Sequence, residues 1–452
     1  MTAQQNLAYE VGLLRRIVQN LAIRPVRLGP ITHDFLRAEG LARARLGPNA
    51  FVGILLPGAE PFTQLSEKLF GRSAKIERGT TFEAYQDELF GTLMSDYLER
   101  DPRSIGSADV QAIESRLAKW FSARASNQTV FVPCMISPWP SPRFSVGPVS
   151  FIFLEDVQHS EFFPRPNASE EATFNNVAHL LDAMRKERAH WLAVVDVMDC
   201  DRERAQQIGD LAVDIAIVAL QLAAPYMGTK NMSRLATRRG PGMQMTLALS
   251  NGQYSGGWSN MEPGIAIGDG TLGEIIRETA PVIAAVGNCV RSFATGSFRL
   301  PNLERAWYDA AYWLHQGLAE PLDSIAVAKL ETAIEVLLHA ESTPGSESRI
   351  IAALETFYEL KADQPIAPNS QTTAKEFAHG FVRDRSRVLH GTWSTLNARL
   401  GGSRDSLENL AVTLAHASAL ELDAYLQSAL PTDDTDAFLS WVKSRRQKPT
   451  GQ

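Results

Sequence analysis

Cysteine is scarce in this chain: 452 residues contain only Cys134, Cys200 and Cys289, an odd number without paired spacing. That usage argues against a disulfide framework and a zinc ribbon, and the three read as small buried hydrophobes. Long apolar runs are lacking too. The most apolar helical stretch, around Leu211 to Ala224, is interrupted by Asp214 and Gln221, and nothing approaches the roughly 20 residues that span a bilayer. No membrane partner is expected. Met1-Thr2-Ala3-Gln4-Gln5 carries no basic segment followed by an apolar block, so a secretory signal is not expected and a cytoplasmic setting is. Positive charge is not in excess either. A net charge of −7 counts against a protein that coats nucleic acid through a generally basic surface. The glycines from Gly252 to Gly273 match no phosphate-cradling loop, and internal repeats and low-complexity tracts are missing.

What remains has the composition of a globular protein, 44% hydrophobic and 21% charged. The length predicts two or three domains. Up to about Ala125 the pattern is helical with one short strand. Leu7, Val11, Leu14, Val18 and Leu21 form one helical stripe. Phe51 to Leu56, bounded by Pro48-Asn49 and Pro57-Gly58, reads as a buried strand. Helices are expected over Thr81 to Glu99 and Ser107 to Ala123, with Ser107 as a cap.

From Thr129 strands appear: Val130 to Ile136, Val149 to Leu154 and Trp191 to Met198, with a Pro-rich loop containing Trp139 after the first. A helix near Glu170 to Arg188 and a long one over Asp201 to Ala224 complete a strand-helix pattern. Gln244 to Leu249 and Gly264 to Ile267 read as short strands. From about Leu272 five amphipathic segments with short polar links predict a helical bundle, followed by a frayed basic end from Lys443. The expected fold is an α+β N-terminal region followed by an all-α C-terminal bundle. Its parts are 1–125, 126–271, 272–432 and a last helix and tail at 433–452.

The sign of the charge reverses locally. Between Gln371 and Arg404 lie Lys375, Arg383, Arg385, Arg387, Arg399 and Arg404 against Glu376 and Asp384 alone. That reversal suits a small phosphate site, since arginine offers a planar fork to phosphate oxygens and histidine can give or take a proton near neutral pH. On a helix, Arg385 and His390 lie about 140° apart and would flank an edge instead of sharing a stripe. The plainer alternative is a solvated arginine face with His390 as a helix C-cap before Gly391. Asp196, Asp199 and Asp201, after a strand end, fit turn and N-cap acids better than a Mg²⁺ site. His159, His179 and His190 lack ligand-like spacing.

Arg385-Ser386-Arg387-Val388-Leu389-His390 resembles the R-x4-H signature of HEPN-domain ribonucleases, and with Gly391 it looks most like the Apea-like HEPN family. Arg305-Ala306-Trp307 with Trp313, and Lys329 to Leu338, resemble the two earlier segments of that pattern, in order, over roughly Leu300 to Leu430. The resemblance implies a bundle that pairs as a homodimer across a two-fold axis, an RNA substrate, and cleavage without metal or other cofactor. It assigns catalysis to Arg385 and His390, with Ser386, Asp384, Arg387, Glu331 and Glu335 as possible supporting residues and His379 near the same cleft. Ser386 departs from the asparagine or other polar residue found at that position in many HEPN ribonucleases, but serine is common in the Apea-like branch and retains a hydrogen-bonding hydroxyl. An anti-phage abortive-infection role, with a phage-derived trigger sensed by the N-terminal region, is implied by the resemblance alone.

Overall fold

The computed structural model describes residues 3–25, 36, 38–46, 50–162, 171–225, 228–237, 243–260, 264–265, 268–340, 342–394 and 401–447. The fold is mixed, with small antiparallel sheets in the N-terminal half and helices in the C-terminal half. Two compact units divide the chain: 1–128 with 198–207, and 129–197 with 208–452.

In the first unit, α1 (Ala3–Gln19) is followed by β1 (Leu21–Pro25), β2 (Leu41–Leu46) and β3 (Ala50–Leu55), then α2 (Leu56–Phe70), α3 (Ala74–Gly79), α4 (Phe82–Asp96) and α5 (Ser107–Arg124). The sheet order is β1-β3-β2, with β3 antiparallel to both neighbours. One strand was expected here and three are found among the described residues. Leu21, read as the end of the helical stripe, opens β1 instead, and Arg43 and Arg45 disguise β2. Leu13, Leu14, Ile17, Leu65, Leu89 and Leu117 form the core, each at most 1% exposed. Ser107 is not the cap: Gly106 precedes the helix, and its N–H donates to the Asp109 carboxylate at 2.8 Å.

The second unit contains β4 (Ser126–Met135), β5 (Phe144–Val146), β6 (Val149–Phe153), α6 (Leu154–Val157), α7 (Glu171–Lys186), β7 (Trp191–Cys200), α8 (Arg202–Ala223) and β8 (Ser233–Arg234), some of whose ends extend into the first. The sheet order is β5-β6-β7-β4-β8. Trp191 anchors it: fully buried, it donates from Nε1 to the Ser137 carbonyl at 3.0 Å and packs edge-on against Phe144 and Phe153. The β5–β6 turn touches the helical region at Gly147, where a Cβ would lie 2.0 Å from the Gly287 carbonyl oxygen; a Cβ on Gly287 would in turn lie 2.5 Å from the Gly147 nitrogen.

A separate hairpin follows, β9 (Met243–Ser250) and β10 (Gln253–Asn260). Of the strand expected at Gly264 to Ile267, Gly264 and Ile265 are not in a strand, and Ala266 and Ile267 lie outside the described residues. Among the described residues eight helices come next: α9 (Thr271–Glu278), α10 (Ala280–Thr295), α11 (Pro301–Leu318), α12 (Asp323–Leu337), α13 (Thr343–Tyr358), α14 (Ala374–Leu389), α15 (Gly401–Leu426) and α16 (Thr435–Gln447). α12 packs against α11, α14 and α15, while α13 packs against α14 and α16. The chain from Lys443 to Gln447 is helical, not frayed. Val442 is fully buried, Lys443 pairs with Glu355 at 2.8 Å, and Arg446 pairs with Glu421 at 3.1 Å. α8 is long and apolar enough to cross a membrane, but most of it is buried inside the protein, as in a core helix.

Candidate functional site

α14 positions the residues singled out above. Thr373 and Glu376 cap its start reciprocally: the Glu376 N–H donates to Thr373 Oγ1 at 3.2 Å and the Thr373 N–H to Glu376 Oε2 at 2.9 Å. Ala374, Ala378, Phe381 and Val382 supply the buried face. The helix stops because Gly391 adopts a φ of +66°, a left-handed conformation that a side chain would disfavour. Its N–H donates to the Val388 carbonyl at 3.1 Å and the Thr392 N–H to the Arg387 carbonyl at 3.0 Å, closing a Schellman motif. His390 is therefore the exposed C-cap residue.

Arg385 faces inward. Its Nε lies 2.8 Å from Glu331 Oε2, and Nη2 and Nη1 lie 2.8 and 3.0 Å from the two Glu335 oxygens. Glu331 and Glu335 stand one turn apart on α12, so a single guanidinium meets two carboxylates. Ser346 Oγ also donates to Glu335. Glu331 has no exposed surface. Although Arg385 Nε is close, its N–H is not aligned, and neither Glu331 oxygen receives a hydrogen bond. Burial first, and the neighbouring Glu335 charge second, push the Glu331 carboxyl up to about 8, against the opposing pull of Arg385. One cation thus balances one carboxylate, and the dry carboxyl keeps its proton near neutrality.

Within the chain Arg385 and His390 are not brought together: among the described residues no hydrogen bond or ion pair joins them, one guanidinium being paired internally and one imidazole lying at the helix end. Ser386 is half-buried, and its carbonyl accepts the His390 N–H at 2.9 Å. Buried Asp384 accepts from Arg383 Nη2 at 3.2 Å. Arg387 lies over the Trp393 ring, 5.1 Å from its centroid. His379 pairs through Nδ1 with Glu347 at 3.0 Å, away from Arg385.

Lys375, His379, Arg383 and Arg387 recur every four residues along α14, stepping about 6 Å and drifting about 40° at each repeat. Beside the first three, a cleft of about 520 Å³ is lined also by Glu347, Gln371 and Glu376. Arg404 does not join this stripe, being held by Asp323 and Glu408, each at 2.9 Å. Arg399 lies outside the described residues.

A second polar cluster escaped the sequence reading. Asp214 accepts both Nε and Nη2 of Arg234 at 2.8 Å, and buried His315 contacts Gln221 Oε1 at 3.1 Å through Nδ1. Its signal was present: Asp214 and Gln221 interrupt the apolar helix because each has a buried partner. The other acids are structural. Asp201 accepts the Arg204 N–H at 2.9 Å as an N-cap, Asp196 accepts from Thr129 at 2.6 Å, and Asp199 pairs with Lys75 at 3.4 Å. No group of three or more His, Cys, Asp or Glu among the described residues is arranged to hold a metal. All three cysteines are free and buried, and burial raises their thiols. No family model matches the chain, and neither a curated protein nor a solved structure matches it.

Proposed function

We propose that the C-terminal helices form a HEPN-type bundle and that the protein is a metal-independent endoribonuclease of anti-phage, abortive-infection character, working in the cytoplasm. The observation that carries this reading is the cationic stripe on α14, which leads from Lys375 past Arg387 towards an exposed histidine. Successive steps of about 6 Å suit consecutive phosphates of an extended single strand. As the 2′-oxygen bonds to phosphorus and the P–O5′ bond breaks, one His390 takes the 2′-hydroxyl proton and the other gives a proton to the leaving 5′-oxygen, while Arg385 offsets the charge that develops on the phosphate. The second copy needed to bring a histidine to each arginine is supplied by two-fold pairing of the bundle. A phage-derived trigger acting on the N-terminal region would release the site.

A specific observation favours a second reading. The Arg385 fork is already filled by Glu331 and Glu335, as expected of a catalytically silent module that dimerises or binds nucleic acid for a ligand-sensing N-terminal region. Incubating the protein with single-stranded RNA and tRNA in chelator separates the two. Cleavage to 2′,3′-cyclic phosphate and 5′-hydroxyl ends, abolished by His390→Ala, supports the enzyme. Intact RNA under every activating condition, with cellular toxicity unchanged in His390→Ala, overturns it.

A further inference from the structure

The β9–β10 hairpin has one apolar face whose side chains are left exposed by the described residues. Its register pairs Leu249 with Tyr254, Leu247 with Gly256 and Met245 with Trp258. Directly opposed residues share a face, as do alternate residues along a strand, so these six lie together. Thr246, Ala248, Ser250, Gln253, Ser255 and Gly257 form the other face. Met245, Leu247, Leu249, Tyr254 and Trp258 are 69%, 72%, 60%, 74% and 71% exposed. Every residue from Met245 to Trp258 is exposed, so the hairpin projects from the body.

A lone two-stranded hairpin is marginally stable in water, and apolar patches of this size mark contact surfaces. We infer that the apolar face of this hairpin docks against the same face of a second copy of the chain, forming an isologous, two-fold interface. Three observations select that occupant. The five side chains present on the order of 700 Å², close to the roughly 800 Å² each partner gives to a stable dimer. No residue from Met243 to Asn260 is charged, so the hairpin itself carries neither the opposite charge that would select an acidic or basic peptide nor the lysines and arginines that hold a peripheral element on anionic lipid. An identical apolar face is complementary to it without either. The face is also centred on Leu247 beside side-chain-free Gly256, so a two-fold axis through that pair places Leu247 of each copy near the shallow middle of the other.

The inference does not rest on RNA cleavage, and its test reads association alone. Sedimentation of the full chain at micromolar concentration is expected to show self-association, and Leu247→Asp with Trp258→Asp to weaken it by roughly tenfold or more with an unchanged far-ultraviolet spectrum, whatever pairing the bundle contributes. Packed sheets lie about 10 Å apart, so a short bis-maleimide is expected to join copies carrying Leu247→Cys and to leave those carrying Thr246→Cys, on the opposite face, unjoined; the native cysteines are buried. A monomeric wild-type chain overturns the proposal. So does a dimer whose dissociation constant the double substitution leaves unchanged, or flotation of monomeric protein with neutral phosphatidylcholine vesicles that the double substitution abolishes.

Discussion

Arg385 and Glu331 approach to 2.8 Å, yet the carboxyl is fully buried, accepts no hydrogen bond and is pushed up to about 8. Because the folded chain holds this proton where an unfolded glutamic acid has lost it, stability contributed at Glu331 is fully present below the unfolded value. It falls as the pH rises from about 4.3 towards 8. Glu331→Gln removes that titration. The variant's melting temperature is expected to exceed the wild type's by about 2–5 °C at pH 8.5 and to converge with it near pH 5. Parallel melting curves across that range would refute the assignment.

Removing Arg385 leaves the Glu335 carboxylate without its cation, beside a Glu331 carboxyl that keeps its proton. Arg385→Ala is expected to cost about 2–4 kcal/mol by chemical denaturation, as breaking a buried pair does. His390→Ala, at an exposed cap, is expected to cost under about 0.5 kcal/mol. Loss of RNA cleavage by His390→Ala, on the order of 100-fold or more, then reports chemistry and not folding.

Lys375 and Arg387 are exposed or half-exposed, so reversing them tests the stripe without disturbing the core, whereas Arg383 also partners buried Asp384. Each Lys375→Glu or Arg387→Glu change is expected to weaken single-stranded RNA binding and to lower the salt slope of log K by about 0.7. Titration at several salt concentrations gives that slope, and an unchanged slope places the RNA elsewhere.

Arg234 neutralises Asp214 inside the second unit. Arg234→Ala strands a carboxylate that is 1% exposed, with an expected loss of about 3–5 kcal/mol. Restoring neutrality with Asp214→Asn in the same chain is expected to recover part of it, measured as a double-mutant cycle.

The α14 helix was legible in advance because its signals are local. The apolar periodicity gave the buried face, and Gly391 gave the stop that puts His390 at the cap. Glu331 and Glu335 were legible as neighbours on one helix, but that they clasp Arg385 depends on the α12–α14 packing, which no spacing encodes. Gln244 to Leu249 was legible as a short strand, but a strand pattern reads the same whether its apolar face turns to the core or to a partner. Asp214 was seen as an interruption and its partners Arg234 and His315 were not, because they come from β8 and α11.

Gly147 and Gly287 meet backbone to backbone, with no side chain between the β5–β6 turn and α10. Such a joint has no slack. Lengthening either residue by one carbon forces the turn off the helix instead of compressing a neighbour, so the pair acts as a hard stop that fixes the height of α10 above the sheet. Inheritance at these two positions should therefore be coupled: a chain that gains a methyl at one must rebuild the turn, and natural variants are expected to keep both glycines or to lose both together with a change in loop length.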